Sequence, residues 1–170
     1  TGEQEDLEGI IMADALRTCA TVGQFETFLT RRLNRDLGSR ANFLTIDASG
    51  GAAIFETHNH GFKRLDCTNA PGSYLANTNY SRSGTEDTGA GYLRFDRLTS
   101  LLESAPGGRL SHDYILQAVA RDLGHSLLRH PDRAEWKALP ADSPVWIHTN
   151  HTINRPSTAS VAVIRGVRPG

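Results

Sequence analysis

No apolar run in this sequence approaches the roughly 20 residues that a membrane-spanning helix requires. The N-terminal stretch "TGEQEDLEG" is acidic, which is unlike a secretory signal. Cysteine is scarce: Cys19 and Cys67 form no CxxC pair and no metal-ligand spacing, so they leave the redox compartment open. Charge of one sign is also missing. Eighteen basic and 19 acidic residues are interspersed along the chain for a net charge of -1, a balance that argues against a nucleic-acid footprint or a polybasic membrane anchor. There is no GxSxG elbow, no SxxK and no P-loop, so serine-hydrolase, penicillin-binding and nucleotide readings lack their anchors. Internal repeats and low-complexity tracts are absent too.

What remains is 170 residues, 38% hydrophobic and 22% charged, the profile of one soluble globular domain over residues 1–170. Leu7, Ile10, Ile11 and Ala15 follow helical spacing. Thr21 and Gln24 form a capping box for a second helix whose buried stripe is Val22, Phe25, Phe28, Leu29 and Leu33, with Gly38 as its stop. "NFLTID" and "AAIFETH" flank "ASGG" as two strands around a tight turn. "FKRLDC" and "GSYLANTN" read as two further strands. Helix resumes near Tyr92 and ends at "APGG"; Ser111 then caps a long helix with the stripe Ile115, Val119, Leu123 and Leu127. "VWIHTN" and "ASVAVIRGV" suit a closing hairpin. The expected order, α-α-β-β-β-β-α-α-β-β, groups strands between helix pairs and so points to an α+β or layered sandwich fold.

Several residue types could carry chemistry, and each has an ordinary structural reading beside it. His58 and His60 in "HNH", with His148 and His151 in "HTNH", could form a metal cluster, yet no carboxylate or cysteine joins either pair at metal spacing. Thr1 could act as an N-terminal nucleophile with its own α-amine as base, but it opens a polar stretch that feeds a helix. Cys19, among apolar neighbours on a helix, reads as core, and Cys67 reads similarly in a strand. Asn77 and Asn79 lie where an apolar run stops; an amide there is either an Asx-type turn or a donor to an oxygen that becomes negative during acyl transfer. Arg94 at a helix start runs against the helix dipole, which leaves a solvated side chain or a guanidinium reaching into a pocket. Asp96 close behind it is the dipole-matching choice.

The ordered segments "RTCATVGQFETFL", "NFLTIDASGGAAIFETH", "YLANTNYS", "RFDRL" and "TINRPSTASVAVIRGV" resemble the C-terminal half of the acyl-coenzyme A:6-aminopenicillanic acid acyltransferase-like family. That family belongs to the N-terminal-nucleophile hydrolase superfamily, whose fold is a four-layer αββα sandwich of antiparallel sheets. The resemblance implies an amidohydrolase or acyltransferase acting on linear amide bonds, in which a newly exposed N-terminal cysteine attacks the carbonyl and its α-amine shuttles the proton. It selects Asn79 of the "TN" pair as oxyanion donor and Arg94 of "LRFDR" as the arginine near the nucleophile, with Tyr80 and Asn77 beside the substrate.

Two departures bear on this assignment: Leu93 stands where the family has serine, and the proline that follows the family's asparagine-serine is absent from "NTNYS", which argues against the bile-salt hydrolase branch. The cysteine-bearing strand is also not in this sequence, so the resemblance implies a companion polypeptide that carries the nucleophile, or a longer parent chain. It calls for a small acylated amine or amide as substrate, no cofactor, no metal, no nucleic acid and no membrane, and such processing enzymes are often exported. The competing expectations are a non-catalytic binding or structural α+β domain and a histidine-bound metal protein.

Overall fold

The computed structural model describes residues 6–85, 91–129, 133–143, 148–162 and 164. Among these the fold is α+β, and contacts divide the chain into two compact units: Thr1–Asn77 with Ser81–Glu86 and Ile164–Gly170, and Thr78–Tyr80 with Asp87–Val163.

The first unit opens with α1 (Glu8–Thr18) and α2 (Val22–Arg32). Thr21 caps α2 by accepting from the Gln24 amide at 3.1 Å, and Gln24 Oε1 in turn accepts from the Ala20 amide at 2.6 Å, so two of the helix-start donors are satisfied by side chains. A third, the Val22 amide, is taken by Asp47 Oδ2 at 2.9 Å. That bond leads the causes that hold the Asp47 carboxyl below its ordinary range, followed by the Gly51 and Ser49 amides, with burial opposing them. α2 ends at Arg32 rather than at Gly38. Gly38 instead takes φ 73° in a later turn, where its amide donates to Asn59 Oδ1 at 2.9 Å and a β-carbon would meet the Leu7 side chain.

Strands β1 (Asn42–Ile46), β2 (Ala52–His58) and β3 (Gly61–Asp66) form an antiparallel sheet in the order β1-β2-β3. Asp47 closes the first hairpin by accepting from Ser49 and Gly51, while Gly50 turns the chain at φ 86°. One face of β2 presents Ala53 and Phe55 to the helices, where they pack with Ile11, Phe25, Leu29 and Phe43. Phe55 lies 5.0 Å from the Phe25 ring and 5.7 Å from the Phe62 ring, the spacing of edge-to-face aromatic pairs. The opposite face carries Ile54, paired across the sheet with Leu44 and Leu65. On that face the edge strand leaves Leu44 63% and Ile46 56% exposed.

Glu56 lies on the same opposite face and is 4% exposed. Its two carboxylate oxygens accept from the Arg82 and Ser83 amides at 2.6 and 2.8 Å. Burial works to raise its pKa, but hydrogen bonds from the Ser83 side chain, those two amides and the Ser81 side chain prevail and hold it below the ordinary glutamate value.

The segment read as a fourth strand, "GSYLANTN", is not one. Pro71–Ser73 makes a short 3-10 turn with Gly72 at φ 73°, and residues 74–77 have no regular structure. Cys67 likewise falls in a 3-10 turn, Cys67–Asn69, just past β3.

In the second unit α3 (Tyr92–Glu103) ends before the Pro106–Gly108 turn, as its composition predicts. Ser111 caps α4 (His112–Tyr114) through the Tyr114 amide at 3.1 Å, and the chain continues as a π-helical turn, Ile115–Val119. The long helix expected through Leu127 therefore stops early, and Leu123 and Leu127 are exposed. Asp122 explains the stop: its carboxylate grips Arg97 at 2.9 and 2.7 Å and also accepts from the Gly124 amide, while its carbonyl accepts from the Asn154 amide. α5 (Arg133–Ala138) follows. The closing hairpin is not formed by residues 148–150, 159–162 or 164; the rest of both segments lies outside the described residues. Among the described residues no helix is long and apolar enough to cross a membrane.

Candidate functional site

Gly91 stands directly before helix α3, and its carbonyl accepts from Thr78 Oγ1 at 2.8 Å. A β-carbon at Gly91 would stand 2.4 Å from the backbone carbon of Asn79, so the absence of a side chain is what lets Thr78–Tyr80 lie against the helix start. Tyr80 anchors the far end of the same short segment, its ring 5.7 Å from that of Phe95 and 6.5 Å from that of Tyr92. Asn79, held between these two points, is exposed.

Arg94, in the first turn of α3, is 4% exposed. Its Nη2 donates to Asn79 Oδ1 at 2.8 Å, and among the described residues no carboxylate pairs with it. Burial first, and the neighbouring Arg155 second, pull its pKa below the ordinary guanidinium value, although an arginine stays charged at any physiological pH. Arg155 is brought to this region by the loop whose Asn154 amide bonds to the Asp122 carbonyl.

A guanidinium can only donate, so the contact fixes which end of the Asn79 amide faces it. The carbonyl oxygen points to Arg94, and the remaining hydrogen-bonding end is the NH2 group, a two-hydrogen donor. A cation bonded to the carbonyl of an amide polarises it and strengthens its N–H donors. The arrangement can therefore present a fixed, polarised donor to an oxygen that acquires negative charge.

Of the four residues singled out from the sequence, Asn79, Arg94 and Tyr80 gather at the start of α3, whereas Asn77 is half-buried and belongs to the first unit. Gly91 and Thr78 carry the placement of Asn79 without having stood out by themselves. The signal for Gly91 is a glycine directly before a helix that lacks a side-chain cap.

The other candidates take ordinary places. Cys19 is half-buried against the first unit's core, and Thr1 lies outside the described residues. His58 and His60 are exposed at the β2–β3 turn. The rings of His148 and His151 stack at 5.3 Å, with His125 at 6.4 and 6.1 Å, and His125 Nδ1 accepts from the Leu127 and Leu128 amides. No group of three histidine, cysteine, aspartate or glutamate side chains among the described residues is arranged to hold a metal ion. No family model, curated protein or solved structure matches the chain.

Proposed function

We propose that the chain is the C-terminal portion of an N-terminal-nucleophile amidohydrolase or acyltransferase acting on linear amide bonds, its cysteine supplied by a companion polypeptide or by a preceding segment. The observation that carries this reading is the Arg94 to Asn79 bond, which turns the asparagine's NH2 outward as an oxyanion donor. In the proposed reaction the cysteine sulfur bonds to the acyl carbon while its proton passes to the α-amine. Asn79 stabilises the oxyanion, the amine leaves with that proton, and water or a second amine then takes the acyl group.

The four-layer αββα sandwich is part of the same proposal. In support of it, helices cover one face of the β1–β3 sheet, and the other face offers exposed Leu44 and Ile46, as a face that receives a second sheet would.

The test is Asn79→Ala in the complete enzyme, assayed on a panel of acylated amines and amino acids. One oxyanion donor is worth about 3 kcal/mol, so turnover falls roughly a hundredfold or more while the melting temperature holds. Near-normal turnover removes Asn79 from the mechanism. Arg94→Lys keeps the charge but loses the fixed fork, so kcat falls with little change in KM; unchanged kinetics would return Arg94 to a purely structural place. Intact mass spectrometry of the natural material provides an independent check, because the reading requires a cysteine-initiated polypeptide.

A further inference from the structure

The first unit contains an open cavity of about 920 Å³ that the proposed chemistry does not use, in the groove between α1 and α2. Its apolar lining is Leu7, Ile10, Phe28 and Leu37. Ile10 is 54% exposed there, on the face of α1 that also carries Asp14 and Arg17. Over this lining stand Arg17, Arg31, Arg32 and Arg35, opposed by Asp14 and Asp36.

The two aspartates are engaged elsewhere in the groove. Asp14 takes Arg32 at 3.1 Å and Arg17 at 3.4 Å, and Asp36 faces His60 at 3.5 Å. Arg31 and Arg35, four residues apart, have no carboxylate partner among the described residues. The helix dipole accounts for arginines in the last turn of α2, namely Arg31 and Arg32. It does not account for Arg35 beyond the helix end, nor for two like charges set beside an apolar lining.

We infer that this groove binds a free amphiphilic carboxylate with a single alkyl chain, the head on the Arg31 and Arg35 guanidinium groups and the chain along Leu7, Ile10 and Phe28, over the buried Leu37. A planar guanidinium fork suits a carboxylate. Each helix has 11 residues and is therefore about 16 Å long, enough for a medium-length alkyl chain but short for a standard protein interface of about 800 Å² per partner. The inference does not depend on the proposed enzymatic reading.

Cys19 lines the groove and Cys67 does not, and both are free and half-buried, so the chain carries a reporter and its internal control. Octanoate, decanoate and dodecanoate, each below its micellar concentration, are titrated into the 170-residue chain by calorimetry, with acetate and decyltrimethylammonium as comparisons. Iodoacetamide labelling of each cysteine is followed by peptide mass spectrometry. Binding is expected to tighten about twofold per added methylene, the half-buried share of the roughly fourfold that full burial of a CH2 supplies. Decanoate should slow alkylation of Cys19 and leave Cys67 unchanged. The exposed double variant Arg31→Gln and Arg35→Gln should weaken decanoate at least tenfold, with a melting temperature lowered by no more than a few degrees. The inference is overturned if decyltrimethylammonium binds as well as decanoate, if the double variant binds decanoate normally, or if both cysteines are protected alike.

Discussion

The two units differ in how much apolar core they build: among the described residues the first buries ten apolar side chains, alongside the polar Ser39, Glu56, Thr57 and Asn59, and the second buries only Leu102, Ala105 and Val119. In the first, the interior is built from Ile11, Phe25, Leu29, Phe43 and Phe55, apolar groups that exclude water by packing on one another. In the second, a charged guanidinium and a hydroxyl, Arg94 and Thr152, are as fully buried as the few apolar residues around them, Leu102, Ala105 and Val119. Its shape depends on directed contacts: Arg97 to Asp122, Asn154 to Asp122, Thr78 to Gly91 and Arg94 to Asn79. Apolar packing tolerates small shifts at modest cost, whereas a directed contact fails when an atom moves by about an ångström. A site that must hold one amide at one angle belongs with the second kind of construction.

The largest expected effect breaks the apolar side of this contrast. Phe55→Ala removes the fully buried ring that links Phe25 to Phe62, which also lies 5.9 Å from the Arg64 guanidinium, and should cost about 3–5 kcal/mol. Hydrogen exchange of the β1–β3 amides is the measurement that checks it. Loss of protection there, with the α3 amides retained, keeps the two units distinct; simultaneous loss in α3 would mean that they unfold as one.

The same contrast explains what could be read in advance. α2 and the β1–β2 hairpin were legible because their signals are local: a Thr21 cap with Gln24 three residues on, and alternating apolar residues around a turn closed by Asp47. The stripe from Ile115 to Leu127 is just as periodic, but Asp122 spends its carboxylate on Arg97 and Gly124 and its carbonyl on Asn154, contacts that sequence periodicity cannot reveal. The apolar start of "YLANTNYS" misled in a similar way, since Gly72 turns the chain just before it and Asn79 bonds to a side chain 15 residues away. Arg94 was visible as an oddity of charge against the helix dipole. Its burial and its partner were not.

Glu56 offers a smaller effect and a probe of polar construction inside the apolar unit. Glu56→Gln retains one accepting oxygen but turns an NH2 group toward one of the two backbone donors, which should cost about 2 kcal/mol at neutral pH, the worth of a hydrogen bond to a charged group. Because the folded carboxyl titrates below its ordinary value of 4.5, the unfolded chain takes up the proton first as pH falls. The stabilisation is therefore complete above that value and is lost as pH drops through the folded pKa. Denaturant titrations from pH 7 to pH 3 should show the wild-type and Glu56→Gln curves converging in acid. A gap that stays constant over that range would mean that the charge contributes nothing and only the shape of the side chain matters.

The sharpest test of directed construction comes from Gly91→Ala. The backbone at this residue is in a conformation that alanine also adopts, φ -107° and ψ -17°, so no torsional strain is added and crowding alone decides. The new methyl group would press on the Asn79 carbonyl carbon and the Tyr80 amide, which are backbone atoms, so the segment Thr78–Tyr80 must move. Backbone held at both ends by the Thr78 hydrogen bond and the Tyr80 ring contacts does not give way as cheaply as the end of a flexible side chain, so the penalty falls within the overpacking range of about 1–3 kcal/mol. The amide then leaves Arg94. On the proposed enzymatic reading, turnover of the complete protein should fall toward that of Asn79→Ala, with a melting temperature lowered by a few degrees. Combining the two substitutions should add little to either, because they remove the same donor. Additive losses would show that Gly91 acts on something other than the Asn79 amide, and the second unit's precision would then need another purpose.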